Sequence, residues 1–118
     1  MALLDKADLS NAMVERADLN FASLEGANLF AAYLKSANLS FSRLAWANLR
    51  AAYLGSANLE AANLLYADLS GADLEGADLS WASLEHVMGL TQEQVDAAKG
   101  NSTTRLPAGL RMPDSWKT

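Results

Sequence analysis

From Ala2 to His86 the chain falls into seventeen consecutive five-residue units without an insertion. The middle residue of each unit, counted from Leu4 in steps of five to Leu84, is Leu everywhere except Val14. Two positions earlier the residue is Ala, with Ser42 the one exception. An amphipathic helix needs apolar residues at spacings of three and four, and a half-buried strand needs strict alternation. A period of five satisfies neither. It fits a coil with flat sides, in which Ala and Leu point inward, the other three residues point outward, and four units close one square turn of twenty residues.

The tripeptides at residues 7–9, 17–19, 27–29, 37–39, 47–49, 57–59, 67–69 and 77–79 all read Ala-Asp-Leu or Ala-Asn-Leu. In tandem this resembles the A-[DN]-L-x-x signature of the pentapeptide-repeat proteins, over about three quarters of the chain. The resemblance implies an all-β solenoid, a right-handed quadrilateral β-helix of about four coils. With rungs at the ~4.8 Å spacing of hydrogen-bonded strands, the repeat body is expected to be about 20 Å long.

If residue n stacks on n+20, two outward columns read Asp8, Asn28, Asn48, Asp68 and Asp18, Asn38, Asn58, Asp78. Stacked like charges repel, and Asn in the middle can hydrogen-bond along the column while each Asp lies near an end. Stacking is also expected of Phe21 on Phe41, Tyr33 on Tyr53, and Trp46 on Tyr66. Eight of the nine aromatic residues lie in the repeats, all at outward positions. Ser42 is the one polar residue expected inside, its hydroxyl bonded to a nearby backbone carbonyl. His86 is expected to be a surface residue where the repeats end.

The register ends after Leu84, and the chain divides into a repeat domain, 2–86, and a C-terminal cap, 87–118. Thr91 and Gln94 have the spacing of a capping box, Leu90 and Val95 that of a hydrophobic staple, and Gly100 suits a C-terminal stop. These signals predict a helix over about 92–99. An open solenoid end exposes unpaired backbone and Leu, so a cover is physically required. Leu106, Leu110, Pro113 and Trp116 can lie over the last coil, and this tail resembles those of bacterial members of the family. Leu3 and Leu4 already belong to the first unit, which suggests a head-to-head homodimer through the first coil; a monomeric mass at all concentrations would contradict it.

Composition narrows the chemistry. The formal charge of −5 disfavours nonspecific binding to nucleic acid or anionic lipid. The charge is uneven, since no Lys or Arg occurs among residues 51–86 while Glu60, Asp68, Asp73, Glu75, Asp78 and Glu85 do. One His and no Cys cannot supply an ordinary transition-metal site, and no phosphate loop or nucleophile elbow is present. The sequence therefore predicts no enzyme, no cofactor and no metal. No apolar run approaches the ~18 residues that cross a bilayer, and the first residues lack a basic n-region, so a cytoplasmic location is expected.

What remains is a non-catalytic scaffold or interaction protein with another protein as partner. Its candidate surface is Phe21, Tyr33, Phe41, Trp46, Tyr53, Tyr66 and Trp81 with Asp68, Asp73 and Asp78. The alternative is the acidic DNA mimicry by which some members of the family act on DNA gyrase. The net charge agrees with that, but a 20 Å rod matches only ~6 base pairs.

Overall fold

The structure, a computed structural model, describes residues 1–117. The repeats form a continuous coil in which each residue just before a Leu, or before Val14, makes a parallel bridge to the residue twenty positions later, from Leu3 with Ser23 to Asp68 with Met88. Ladder bonds run along the rod: the Leu49 amide donates to the Asp68 carbonyl at 2.8 Å, and the Tyr53 amide to the Ala32 carbonyl at 2.9 Å. Successive rungs are thereby clamped above and below. From Ala22 to Leu84 the inward Ala and Leu side chains are at most 4% exposed. Alanine lets opposite walls approach, and leucine fills the axis between them.

Every unit turns its corner the same way. The Leu carbonyl accepts the amide of the next Ala, as from Ala52 to Leu49 at 3.1 Å, closing a β-turn. The third turn residue is left-handed at all seventeen corners, and fourteen of these residues are not glycine, Phe21, Phe41, Trp46 and Trp81 among them. Each such corner costs about 1–2 kcal/mol relative to ordinary backbone. The ladder bonds and the buried Leu offset that cost collectively.

The Asp and Asn columns have a role that stacking alone does not predict. Their side-chain oxygen accepts the amide two residues on, as in Ser10 to Asp8 at 3.1 Å, Arg50 to Asn48 at 3.1 Å and Ser80 to Asp78 at 2.9 Å. That amide lies at the corner, outside the coil-to-coil ladder, and would otherwise lack a protein partner. Stacking bonds also form, but they are long: 3.4 Å from Asn28 to Asp8 and from Asn48 to Asn28, 3.5 Å from Asn38 to Asp18. The turn bond is therefore the stronger reason for Asp or Asn in these columns.

Ser42 departs from expectation. It is 1% exposed, yet its hydroxyl has no hydrogen-bond partner among the described residues. The neighbouring carbonyls are already engaged: that of Leu39 accepts the Ser42 amide at the corner, and those of Ala22 and Ser42 accept ladder amides. An unpaired buried hydroxyl costs about 1–3 kcal/mol. Replacing it with the residue found at every equivalent position, Ser42→Ala, is expected to raise stability by about 1 kcal/mol, seen as a higher urea midpoint; a lower midpoint would mean that the hydroxyl is paired.

After Met88 the chain leaves the regular path. Helix α1, Gln92–Ala97, has the capping box, with the Thr91 hydroxyl accepting the Gln94 amide and the Gln94 side chain accepting the Thr91 amide. It buries Val95 against the end of the core. The Gln94 amide group also donates to the Leu69 and Ala72 carbonyls, each at 2.9 Å, and at Ala72 it replaces the ladder donor that a further rung would have supplied. The helix ends two residues earlier than the sequence predicts. Ala98 is extended and Lys99 pairs with Asp78, because ladder bonds to Ala77 and Leu79 replace another helical turn. Arg105 then pairs with Ser83, and the Thr104 hydroxyl donates to the Leu79 carbonyl at 2.8 Å.

Gly100 is not the left-handed stop that its position suggests, since its backbone lies outside that region. It is required by packing: a Cβ there would lie 2.5 Å from the Trp116 indole. Trp116, in a short 3-10 turn at Asp114–Trp116, is 2% exposed. At the other end Leu4, Leu9, Val14 and Leu19 are only partly buried. Principal extents are 35 × 22 × 18 Å.

Candidate interaction surface

The twenty-residue turn assigns every outward side chain to a side or an edge. Side 1 carries Ser23, Arg43, Asn63 and Ser83 at its middle; side 2 carries Asn28, Asn48 and Asp68; side 3 carries Tyr33, Tyr53 and Asp73; side 4 carries Asn38, Asn58 and Asp78. The left-handed corner residues stand on the edges between them.

The candidate residues do not form one patch. Asp68, Asp73 and Asp78 fall on three different sides, so the acidity of the last coils is spread around the rod. Tyr33 stacks on Tyr53 at 4.8 Å and 4° in the middle of side 3. Phe30 stands toward the edge between sides 2 and 3, and the other aromatic candidates gather at the two edges of side 1. Phe21 stacks on Phe41 at 5.0 Å and 15° along the edge with side 4, where Trp81 also stands. Trp46 stacks on Tyr66 at 4.4 Å and 9° along the edge with side 2.

That second column has a third member which the sequence reading placed only at the surface. His86 stacks on Tyr66 at 5.0 Å and 10°. The signal was present in the arithmetic, since 46, 66 and 86 share one register. Between the two edges side 1 carries Ser23, Asn63 and Ser83, the apolar Ala45 and part-exposed Leu65, and Arg43, which is paired with Glu25 at 2.5 Å. Arg105 is paired with Glu85 at 3.3 Å farther along. Side 1 is thus a shallow strip of mixed polar and apolar residues between two aromatic rails.

The carboxylates are arranged as turn acceptors. Hydrogen bonds from the Ser10 hydroxyl and amide hold Asp8 below the usual carboxylate range, and the Ser23 hydroxyl and Glu25 amide do the same for Asp5. Burial opposes ionisation at Asp68, but the Ser70 hydroxyl and amide, with Arg50, still leave its pKa lowered. Lowered values make these groups poorer proton donors and acceptors near neutral pH. Among the described residues no group of three His, Asp or Glu side chains is placed to hold a metal ion.

Comparison with known proteins follows the same pattern. The sequence pattern described as pentapeptide repeats matches in eight copies, over residues 2–29, 15–50 and 52–87. Among curated proteins none matches this chain significantly. Solved structures do. A pentapeptide repeat protein from Nostoc Pcc 7120 is 28% identical with a TM-score of 0.69, over 92% of this chain and 77% of that one. Another, from the cyanobacterium Cyanothece 51142, is 26% identical with a TM-score of 0.54, over 89% of this chain and 84% of that one.

Proposed function

The chain belongs to the pentapeptide-repeat family, and from that premise we propose that it is a non-catalytic interaction module, a right-handed four-sided rod of about four coils that meets a partner protein through side 1. The residues after His86 serve in this reading as the cap of the last coil. One observation carries the proposal: two exposed aromatic columns border the same side of the rod, with the Arg43–Glu25 pair, short polar residues and the part-exposed Leu65 between them. Exposed aromatic residues are the commonest anchors of protein interfaces, where they bury large area at low entropic cost. A fixed rung spacing supplies the rigidity that lets such anchors bind without further ordering.

The test is an affinity pull-down from bacterial lysate with the intact protein and with a variant carrying Trp46→Ala and Tyr66→Ala. Both side chains stand outside the core, so the variant is expected to fold and to lose the partner. Equal retention by a folded variant contradicts the proposal. Gyrase subunits among the retained proteins would favour acidic mimicry of DNA instead.

A further inference from the structure

One of the two aromatic edges has a missing rung. Trp46, Tyr66 and His86 fill successive coils of their column, but the other column runs Phe21, Phe41, Ala61, Trp81. Phe41 and Trp81 are two rungs apart, about 10 Å at ordinary strand spacing. Between them lies an open slot of about 350 Å³ lined by Phe41, Glu60, Ala61 and Trp81. Stacked rings in this protein take 4.4–5.0 Å per rung. The slot therefore has the height of one further planar group.

Glu60 fixes the charge of that group. Glu25 and Glu85 are paired with arginines, whereas Glu60 makes no ion pair among the described residues. No Lys or Arg occurs between residues 51 and 86, and the chain carries −5 overall. The slot thus combines two ring faces with a carboxylate. A lysine ammonium can pair with the carboxylate but has no flat face, and an aromatic ring can stack but carries no charge. A guanidinium does both, being planar, cationic and matched to a carboxylate.

We propose that the slot at Ala61 takes an arginine side chain of a partner protein, with its guanidinium between Phe41 and Trp81 and paired with Glu60. The inference rests on the reading of side 1 and its edges as the surface that meets a protein.

The probe is a blocked tripeptide, acetyl-Ala-Arg-Ala-amide, titrated into isotope-labelled protein while the Ala61 methyl and Trp81 indole signals are followed by NMR. The lysine and tryptophan counterparts of the peptide are titrated in parallel. The arginine peptide is expected to shift both signals and to bind severalfold more tightly than either counterpart. Glu60→Gln is expected to weaken it about fivefold, the loss of a good exposed ion pair. Ala61→Phe is expected to abolish binding by supplying the missing rung. The corner tolerates that change, since Phe21 and Phe41 hold the same left-handed conformation in the same column; an unfolding curve confirms that the variant is folded. The proposal is overturned if the arginine peptide leaves Ala61 and Trp81 unmoved, if the lysine or tryptophan peptide binds as well, or if the folded Ala61→Phe variant still binds. Should the peptide fail while the Trp46→Ala and Tyr66→Ala variant still loses its partner, only the slot assignment falls.

Discussion

Leu49→Ala is expected to destabilise the protein by about 3–5 kcal/mol, the upper part of the range for buried leucines. Leu49 is fully buried on the rod axis, with Leu29 and Leu69 in the rungs on either side. A cavity there cannot collapse, because the surrounding walls are alanine and each rung is fixed by ladder bonds to its neighbours. The same change at Leu9, in the first coil, is expected to cost less than about 2 kcal/mol, since that side chain is only partly buried. Urea unfolding of the two variants checks both values. Equal costs at the two sites would contradict a stack whose interior is dry and whose first rung is open.

Gly89→Leu is expected to be the second severe change, although it restores the residue that the repeat pattern calls for. Counting on from Leu84 in fives places a leucine at 89, and an argument from consensus would predict stabilisation. The structure requires glycine for two reasons. Its backbone is left-handed with φ of 76°, and a Cβ added there would lie 2.7 and 2.8 Å from Cβ and Cα of Ser70. The chain leaves the square path at this point, so the side chain would be driven into the preceding rung. Backbone strain and overpacking together are expected to cost about 3 kcal/mol or more. A thermal midpoint at or above that of the unchanged protein would show that the chain can continue into another regular rung.

These two positions also mark where the sequence was legible and where it was not. The inward Ala and Leu, the twenty-residue stacking and the paired aromatic residues follow from a period that has one geometric solution, so each could be read residue by residue. Ser42 could be placed inside, but its bonding could not be foreseen, because that depends on where the neighbouring carbonyls point. The role of Asp and Asn as acceptors for the amide two residues on was hidden for a related reason. It answers a donor left over by the turn, visible only once the turn is built. Gly100 shows the limit of local rules: its place after a helix suggested a stop, and a distant contact with Trp116 explains it instead.

The candidate surface was legible as a set of residues and not as a shape. All seven aromatic candidates are exposed, as the outward positions require. Their division between the edges of side 1 and the middle of side 3 follows from the corner positions, which the five-residue count contains but composition does not. His86 was placed at the surface where the repeats end, and its role as the third ring of a column follows only when 46, 66 and 86 are set in one register. The slot at Ala61 is likewise a gap in a column, and a gap is noticed only after the column is drawn.

The most direct test of the central claim compares the two aromatic sides of the rod. The partner retained from lysate by the intact protein is measured by mass spectrometry on the Trp46→Ala and Tyr66→Ala variant and on a second variant carrying Tyr33→Ala and Tyr53→Ala. The account predicts that the first variant loses the partner and the second, altered on the opposite side, keeps it. Loss from the second with retention by the first would place the binding surface on side 3 and contradict the claim.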